Sequence, residues 1–141
     1  MKLIDIYKQK SVEKIILITP ALFNEELWNK DKFAEVQKGY TRSNEDFVKY
    51  AEALEQIGSE LKLPVVNLNK AFKKYADEKL DGKWQDLLCD GLHFSGNGYY
   101  VFYNELVNTI NKNYPEMSVA QVEYNLPNWR NVKSDASNLN L

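Results

Sequence analysis

Two short apolar runs and one helical pattern organise the first half of this chain. Residues 14–19 form a nearly unbroken, β-branched run, which is typical of a strand buried on both faces of a sheet, and Pro20 ends it. Residues 64–68 hold a second short run that predicts another strand. Between the two runs, apolar residues recur at helical spacing from Phe47 to Leu61. The order strand, helix, strand predicts an α/β fold with a parallel crossover.

Polar residues mark where the helices begin. Ser43, with Asp46 three positions later, resembles a capping box in which Asp replaces the usual Glu, so the long helix is predicted to run from there to about Leu61. Asn69 is predicted to cap a further helix that reaches Tyr75. The other predictions are a helix over residues 1–10 with Leu3, Ile4, Ile6 and Tyr7 on one side, a partly helical connection over 21–42 in which Trp28 and Phe33 pack inward, a loop over 77–89, and a helix over 98–113.

Composition narrows the class of protein. A chain of 141 residues with 44% hydrophobic and 13% aromatic residues fits one folded domain. The net charge is −2 and charges of both signs are interspersed, so no basic surface for nucleic acid is expected. No apolar run approaches the roughly 18 residues of a membrane span. The lone cysteine, Cys89, rules out an internal disulfide and suits a reducing compartment, so we expect a cytoplasmic protein.

The candidate chemistry is concentrated in Asp90-Gly91-Leu92-His93, which contains the only histidine of the chain. A carboxylate held against one imidazole nitrogen fixes the tautomer, stabilises the imidazolium and leaves the other nitrogen free to act as a base. Asp90 and His93 therefore form a candidate catalytic pair. The same spacing also fits a purely structural pair, in which Asp90 accepts hydrogen bonds from turn amides beside a half-buried His93.

Three neighbouring residues are weaker candidates. Ser95 follows His93 closely, but its predicted role is the N-cap of the last helix. Cys89 is predicted to be a small buried apolar residue, because four residues along one loop rarely aim two side chains at each other. Asp86 would complete a metal-binding set with Asp90 and His93, but a single histidine with no second cluster does not favour one. We therefore expect no metal site.

Residues 88–99, LCDGLHFSGNGY, resemble the last signature block of the SGNH (GDSL-type) hydrolases, which carry their triad Asp and His as D-x-x-H. The chain is most similar to the isoamyl acetate-hydrolysing esterase group, in particular its yeast-type members. The similarity runs from residue 1 to about 139, and its other matching blocks are, in chain order, residues 16–20 (ILITP), 44–47 (NEDF) with 50–51 (YA), 68–72 (LNKAF) and 128–132 (NWRNV).

This resemblance implies a three-layer αβα, flavodoxin-like fold and an ester hydrolase that acts on small carboxylic esters such as acetate esters of short alcohols. In such a mechanism His93 transfers protons to and from a nucleophilic serine, Asp90 orients His93, and no metal or organic cofactor is needed. Ligands collect outside the carboxyl ends of parallel strands, which places Leu22 and Phe23 on the same rim as the catalytic pair. These two side chains either line an acyl or alcohol pocket or seal the rim of the sheet.

The chain lacks the family's Gly-Asp-Ser block, which supplies the nucleophile, and its Gly-x-Asn-Asp block, which helps to form the oxyanion hole. Residues 1–133 therefore resemble the C-terminal portion of a single SGNH hydrolase domain, followed by a polar tail at 134–141 that we expect to be disordered. We expect the chain alone to be inactive. We also expect it to be poorly soluble, molten, or self-associated, for instance as a homodimer, through an unpaired edge of the strand 14–19. The alternative is a non-catalytic remnant or interaction module with the same fold.

Overall fold

Helices surround a small parallel sheet in the computed structural model, which describes residues 2–31, 37–39, 42–122 and 127–138. This arrangement is compatible with the predicted α/β class. Short 3₁₀ turns lie at Trp84–Leu87, Pro115–Met117 and Trp129–Asn131. The helices and strands are, in chain order, α1 (Lys2–Gln9), β1 (Leu17–Ile18), α2 (Glu25–Asp31), α3 (Asn44–Leu61), β2 (Val65–Val66), α4 (Leu68–Lys79) and α5 (Gly96–Asn113).

The two predicted strands are present and parallel. Leu17–Ile18 pairs in register with Val65–Val66. A backbone hydrogen bond of 3.0 Å from the amide of Thr19 to the second strand continues the ladder beyond β1. The prediction of parallel strands is therefore confirmed, but both strands are shorter than the predicted ranges 14–19 and 64–68, since regular pairing stops where α4 begins.

The second strand ends early because Asn67 is the N-cap of α4. Its side chain accepts a hydrogen bond of 2.9 Å from the amide of Lys70, so the helix already includes Leu68. The prediction that Asn69 caps this helix is therefore wrong. Asn69 is buried instead, and its Nδ2 donates to the carbonyl oxygen of Ala21 at 2.8 Å, which ties α4 to the segment after β1.

The helix α4 is also longer than predicted, since it continues past Tyr75 to Lys79. Ala76, just beyond the predicted end, is 1% exposed, and Leu80 after the helix packs against the core, so tertiary contacts stabilise the added turn. The predicted loop over 77–89 is correspondingly shorter and contains the 3₁₀ turn Trp84–Leu87.

The helix α3 begins and ends as predicted. Ser43 Oγ accepts a hydrogen bond of 3.0 Å from the amide of Asp46, and in turn donates to the Asp46 carboxylate at 2.7 Å. The shorter aspartate therefore closes the cap through the serine hydroxyl. Gly58 lets this helix lie against β2, because a Cβ at this position would overlap the side chain of Val65.

The core lies between the sheet, α4 and α5. Its most buried side chains include Leu22, Val66, Phe72 and Leu87, each at most 1% exposed. Leu22 follows β1, Val66 belongs to β2, Phe72 to α4 and Leu87 to the 3₁₀ turn Trp84–Leu87. Because Leu87 is buried in this core, the loop that follows it and leads into α5 is anchored where it begins.

The helix α1 is present where predicted, but its apolar side is largely uncovered by the described residues. Only Ile4 is buried, whereas Leu3, Ile6 and Tyr7 are exposed. No helix in the part of the chain that the structure describes is long and apolar enough to cross a membrane.

Two predictions fall wholly or partly outside the described residues. Phe33 lies outside them, as do residues 139–141 of the predicted tail. The rest of that tail, up to Asn138, forms turns, and the Asn138 side chain hydrogen-bonds the amide of Lys133 and the carbonyl oxygen of Asn131. The predicted division at residue 133 stays a prediction.

Candidate active site

The loop before α5 carries the candidate catalytic pair. An isolated antiparallel bridge between Leu88 and Phe94 closes this loop, and the amide of Cys89 donates to the carbonyl oxygen of His93 at 2.9 Å. Gly91 adopts a φ of 94°, a conformation that favours glycine. The chain therefore folds back on itself within a few residues, which brings side chains three positions apart within reach of each other.

Asp90 and His93 are in contact through their side chains. His93 Nδ1 lies 2.6 Å from Asp90 Oδ2. The other carboxylate oxygen, Oδ1, accepts hydrogen bonds from the amides of Leu92 at 3.0 Å and of His93 at 2.8 Å. The two interpretations of the spacing are thus compatible, since one oxygen holds the turn and the other holds the imidazole. The His93 side chain is 66% exposed, so it is not the half-buried ring of a purely structural pair.

The charge on Asp90 fixes the tautomer of His93. Burial, the largest single effect, raises the pKa of the Asp90 carboxyl, but the hydrogen bonds from the His93 ring and from the amides of His93 and Leu92, with the attraction to His93, outweigh it and lower the pKa from 3.8 to about 2. An ionised carboxylate only accepts hydrogen bonds, so Nδ1 of the neutral ring carries the proton. Among the described residues none hydrogen-bonds Nε2, whose lone pair is therefore open to an incoming proton donor.

The neighbouring candidates face other partners. Ser95 Oγ donates to the carbonyl oxygen of Asp86 at 2.9 Å and accepts from an amide of α5 at 3.3 Å, which confirms its predicted role as the N-cap. The prediction that Cys89 is buried is wrong, because the bridged loop turns this position outward and its Sγ donates to the carbonyl oxygen of His93 at 3.3 Å. In the described residues, no three His, Cys, Asp or Glu side chains cluster as metal ligands would.

The two predicted rim residues occupy different places. Leu22 and Phe23 follow β1 and are each 1% exposed. The ring of Phe23 packs against Phe47, at 5.3 Å between centroids, and against Trp28, at 6.1 Å. Leu22 instead lines an open, mainly apolar cleft of about 380 Å³, whose walls also include Ile18, Phe47, Leu68, Leu92, Phe94 and Phe102.

Sequence reasoning missed the support that the loop receives from α2. The amide of Asn24 donates to the carbonyl oxygen of Gly91 at 2.8 Å. A Cβ on Gly91 would stand 2.7 Å from the Asn24 carbonyl oxygen and 2.9 Å from the Trp28 amide nitrogen, so this approach requires glycine. The Trp28 ring also faces the imidazole of His93, at 6.1 Å between centroids. The glycine inside the D-G-L-H block was the one available signal, because glycine often marks a close approach of two backbones.

Comparison with known proteins finds relatives among named esterases, while no protein-family model matches the chain. The isoamyl acetate-hydrolysing esterase of Saccharomyces cerevisiae is 44% identical over 124 residues, which cover 88% of this chain and 50% of that protein. The isoamyl acetate-hydrolysing esterase of Schizosaccharomyces pombe is 28% identical over 119 residues, which cover 84% of this chain and 43% of that protein. The resemblance predicted from the motifs is thereby confirmed, and the chain spans about half the length of the curated relatives it matches.

Proposed function

We propose that this relative of the isoamyl acetate-hydrolysing esterases is an ester hydrolase of the SGNH type, in which Asp90 and His93 supply the acid–base part of a Ser-His-Asp triad. The observation that carries the proposal is the 2.6 Å contact between Asp90 Oδ2 and His93 Nδ1 in a largely exposed loop. This contact occupies Nδ1, while Nε2 has no hydrogen bond to the described residues and so can serve as a general base. The names of the two relatives supply the reaction class.

In this mechanism a serine hydroxyl attacks the ester carbonyl carbon while His93 Nε2 takes its proton. The resulting imidazolium is paired with the Asp90 carboxylate, which is ionised because its pKa is about 2. His93 then gives the proton to the departing alkoxide as the ester C–O bond breaks, leaving an acyl-serine. Water repeats the sequence: His93 removes its proton, the oxygen adds to the acyl carbon, and the serine leaves with the proton as the carboxylic acid forms.

The serine is proposed to come from polypeptide outside these 141 residues. The chain contains no Gly-Asp-Ser block. Ser95, the serine closest to His93 in sequence, caps α5 and donates its hydroxyl proton to a backbone carbonyl group. Residues 1–141 alone are therefore proposed to be inactive. A second candidate function is a non-catalytic module with the same fold, and the absence of the Gly-Asp-Ser block is the observation that favours it.

A small apolar ester fits the cleft beside the loop. Leu92, which belongs to the catalytic loop, is one wall of this cleft, and Leu22 and Phe102 are others. Such walls stabilise a short acyl or alkyl group by removing it from water, and they offer few hydrogen-bonding partners to an ionic or sugar substrate. The proposed substrates are therefore uncharged esters of short acids and alcohols.

The test joins this chain to the part of the Saccharomyces cerevisiae esterase that it does not match, so that one polypeptide contains both portions. We expect this chimera to hydrolyse p-nitrophenyl acetate with saturation kinetics. His93→Ala should lower kcat by about a millionfold, to near background. Asp86→Asn is the matched control and should leave kcat unchanged, because the hydrogen bond that Asp86 makes to Ser95 uses its backbone carbonyl group and not its side chain.

Two outcomes would contradict the proposal. Turnover by the chimera that survives His93→Ala would show that the pair is not catalytic. The isolated chain is the second arm, and it should hydrolyse the ester no faster than an unrelated protein with an exposed histidine. Saturable turnover by residues 1–141 that disappears in His93→Ala would make Ser95 or Cys89 the nucleophile instead.

A further inference from the structure

Among the described residues, the imidazole of His93 makes one side-chain hydrogen bond, and that bond alone does not fix the orientation of the ring. The contact with Asp90 Oδ2 restrains Nδ1 but permits the ring to swing about it. Trp28, from α2, supplies a second contact surface. The two ring centroids are 6.1 Å apart and the ring planes are inclined by 51°.

The indole of Trp28 is itself held by its neighbours. It meets the ring of Phe23 edge-on at 6.1 Å, and the Arg42 guanidinium carbon lies 5.3 Å from the indole centroid. The backbone amide of Trp28 donates to the carbonyl oxygen of Asn24 at 3.0 Å, and the amide of Asn24 donates to the carbonyl oxygen of Gly91, which ties this turn of α2 to the loop. Because Phe23 is only 1% exposed, a series of ring contacts runs from the buried core through Trp28 to His93.

We propose that Trp28 is a positioning residue for His93, and that Arg42 restrains the indole. The inference rests on the proposed function, since the orientation of His93 matters only if Nε2 must meet a serine hydroxyl and a departing alkoxide. The indole, whose centroid lies 6.1 Å from that of the imidazole, limits the rotation of the imidazole and so helps to keep Nε2 in the direction that acyl transfer requires. In this arrangement Phe23 acts by supporting Trp28 and does not contact the substrate.

The test uses the fact that His93 is the only histidine, so its ring gives a single set of NMR signals in the intact chain. Trp28→Leu should shift the His93 ring-proton resonances, because the ring current of the indole is lost, and should speed exchange of the Nδ1 proton with water. Trp28→Phe should restore the slower exchange. Trp129→Leu is the matched control, because this tryptophan also has an arginine over its ring, Arg130 at 4.3 Å, but it is 73% exposed and is not one of the rings in the series that leads to His93.

A second variant keeps the proposal testable if Trp28→Leu does not fold. Arg42→Gln removes the cation from the indole without touching the core, and it should shift the His93 signals in the same direction as Trp28→Leu, but less. The proposal is overturned if the His93 signals and the Nδ1 exchange rate are the same in the parent, Trp28→Leu and Arg42→Gln. It is equally overturned if Trp129→Leu changes them as much.

Kinetics in the chimera complete the test. Trp28→Leu should lower kcat by about ten- to a hundredfold with KM nearly constant, because misdirecting the base affects chemistry and Trp28 does not line the cleft. Trp28→Phe should recover most of the loss. If kcat of an active chimera is unchanged by Trp28→Leu, this inference is contradicted and the proposed function is not. If activity does not depend on His93, the proposed function is contradicted, whereas the NMR result on the contact between Trp28 and His93 still stands.

Discussion

The loop that carries Asp90 and His93 and the amino-terminal segment differ in how many of their polar and apolar groups are paired or buried by other described residues. In the loop, both oxygens of Asp90 accept hydrogen bonds, and the adjoining Leu87 and Leu88 are buried in the core. In the amino-terminal segment, Leu3 of α1 is 71% exposed and Ile18 of β1 is 41% exposed. The described sheet contains β1 and β2 alone, so within it the outer edge of β1 is unpaired.

This difference distinguishes structure that a short segment forms by itself, such as the Asp90–His93 contact, from structure that depends on a larger part of the sheet, such as the cleft. The contact between Asp90 and His93 closes within four residues and is supported by α2, so it forms beside an incomplete cleft. The cleft itself lies at the carboxyl end of β1 and includes Ile18, in the strand whose outer edge is unpaired within the described sheet. The geometry of the Asp90–His93 pair is therefore a local property, whereas the walls of the cleft depend on a larger part of the sheet.

The largest expected effect tests the Asp90–His93 contact, which is the locally formed part of this comparison. In the chimera, Asp90→Asn should lower kcat by about ten-thousandfold. Its Oδ1 keeps the two turn hydrogen bonds, but its amide donates to His93 Nδ1 and so places the ring proton on Nε2, where it blocks the base. Steady-state kinetics with a parallel thermal melt measures both consequences. A kcat close to that of the parent, with an unchanged melt, would show that the loop is not an acid–base device.

The second prediction concerns the docking of α2 on the loop. Gly91→Ala should lower the free energy of unfolding by about 2–4 kcal/mol, because a φ of 94° disfavours a side chain and the new Cβ would collide with the backbones of Asn24 and Trp28. Gly96→Ala is the matched control, since nothing lies within 4 Å of its Cβ position at the start of α5. Urea unfolding of the chimera measures both. Equal effects of the two substitutions would contradict the close approach.

The same contrast explains which predictions were correct. The caps at Ser43 and Ser95 and the contact within D-x-x-H involve near neighbours in sequence, so local spacing was enough to predict them. Asn69 was misassigned because its partner is a carbonyl group 48 residues away in sequence. Cys89 was misassigned because the loop's own bridge decides its exposure. Trp28 could not be linked to His93, since no periodic pattern in the connection 21–42 reveals where its rings pack.

The third prediction concerns the unpaired edge. Ile18→Lys should weaken self-association of residues 1–141 while lowering the free energy of unfolding by no more than about 1 kcal/mol, because a charge on an edge strand opposes pairing and the side chain is 41% exposed. Tyr50→Lys, at a 63% exposed position on α3, controls for the added charge. Size-exclusion chromatography with light scattering over a concentration series measures the association. A monomeric parent chain with a sharp, cooperative melt would show that β1 needs no further partner.

The smallest expected effect is the pH dependence of stability that Asp90 contributes. Its pKa in the folded chain is about 2, against an ordinary value of 3.8, so folding favours the ionised form. The contribution is therefore fully present above about pH 4 and is lost as the pH falls through about 2. Because the side chain is 40% exposed, solvent screening limits it to less than about 1 kcal/mol. Urea unfolding of the chimera and of its Asp90→Asn variant, repeated at descending pH, should show their difference shrinking across this interval. A difference that stays constant would mean that His93 and the turn amides do not hold the carboxylate in its charged form.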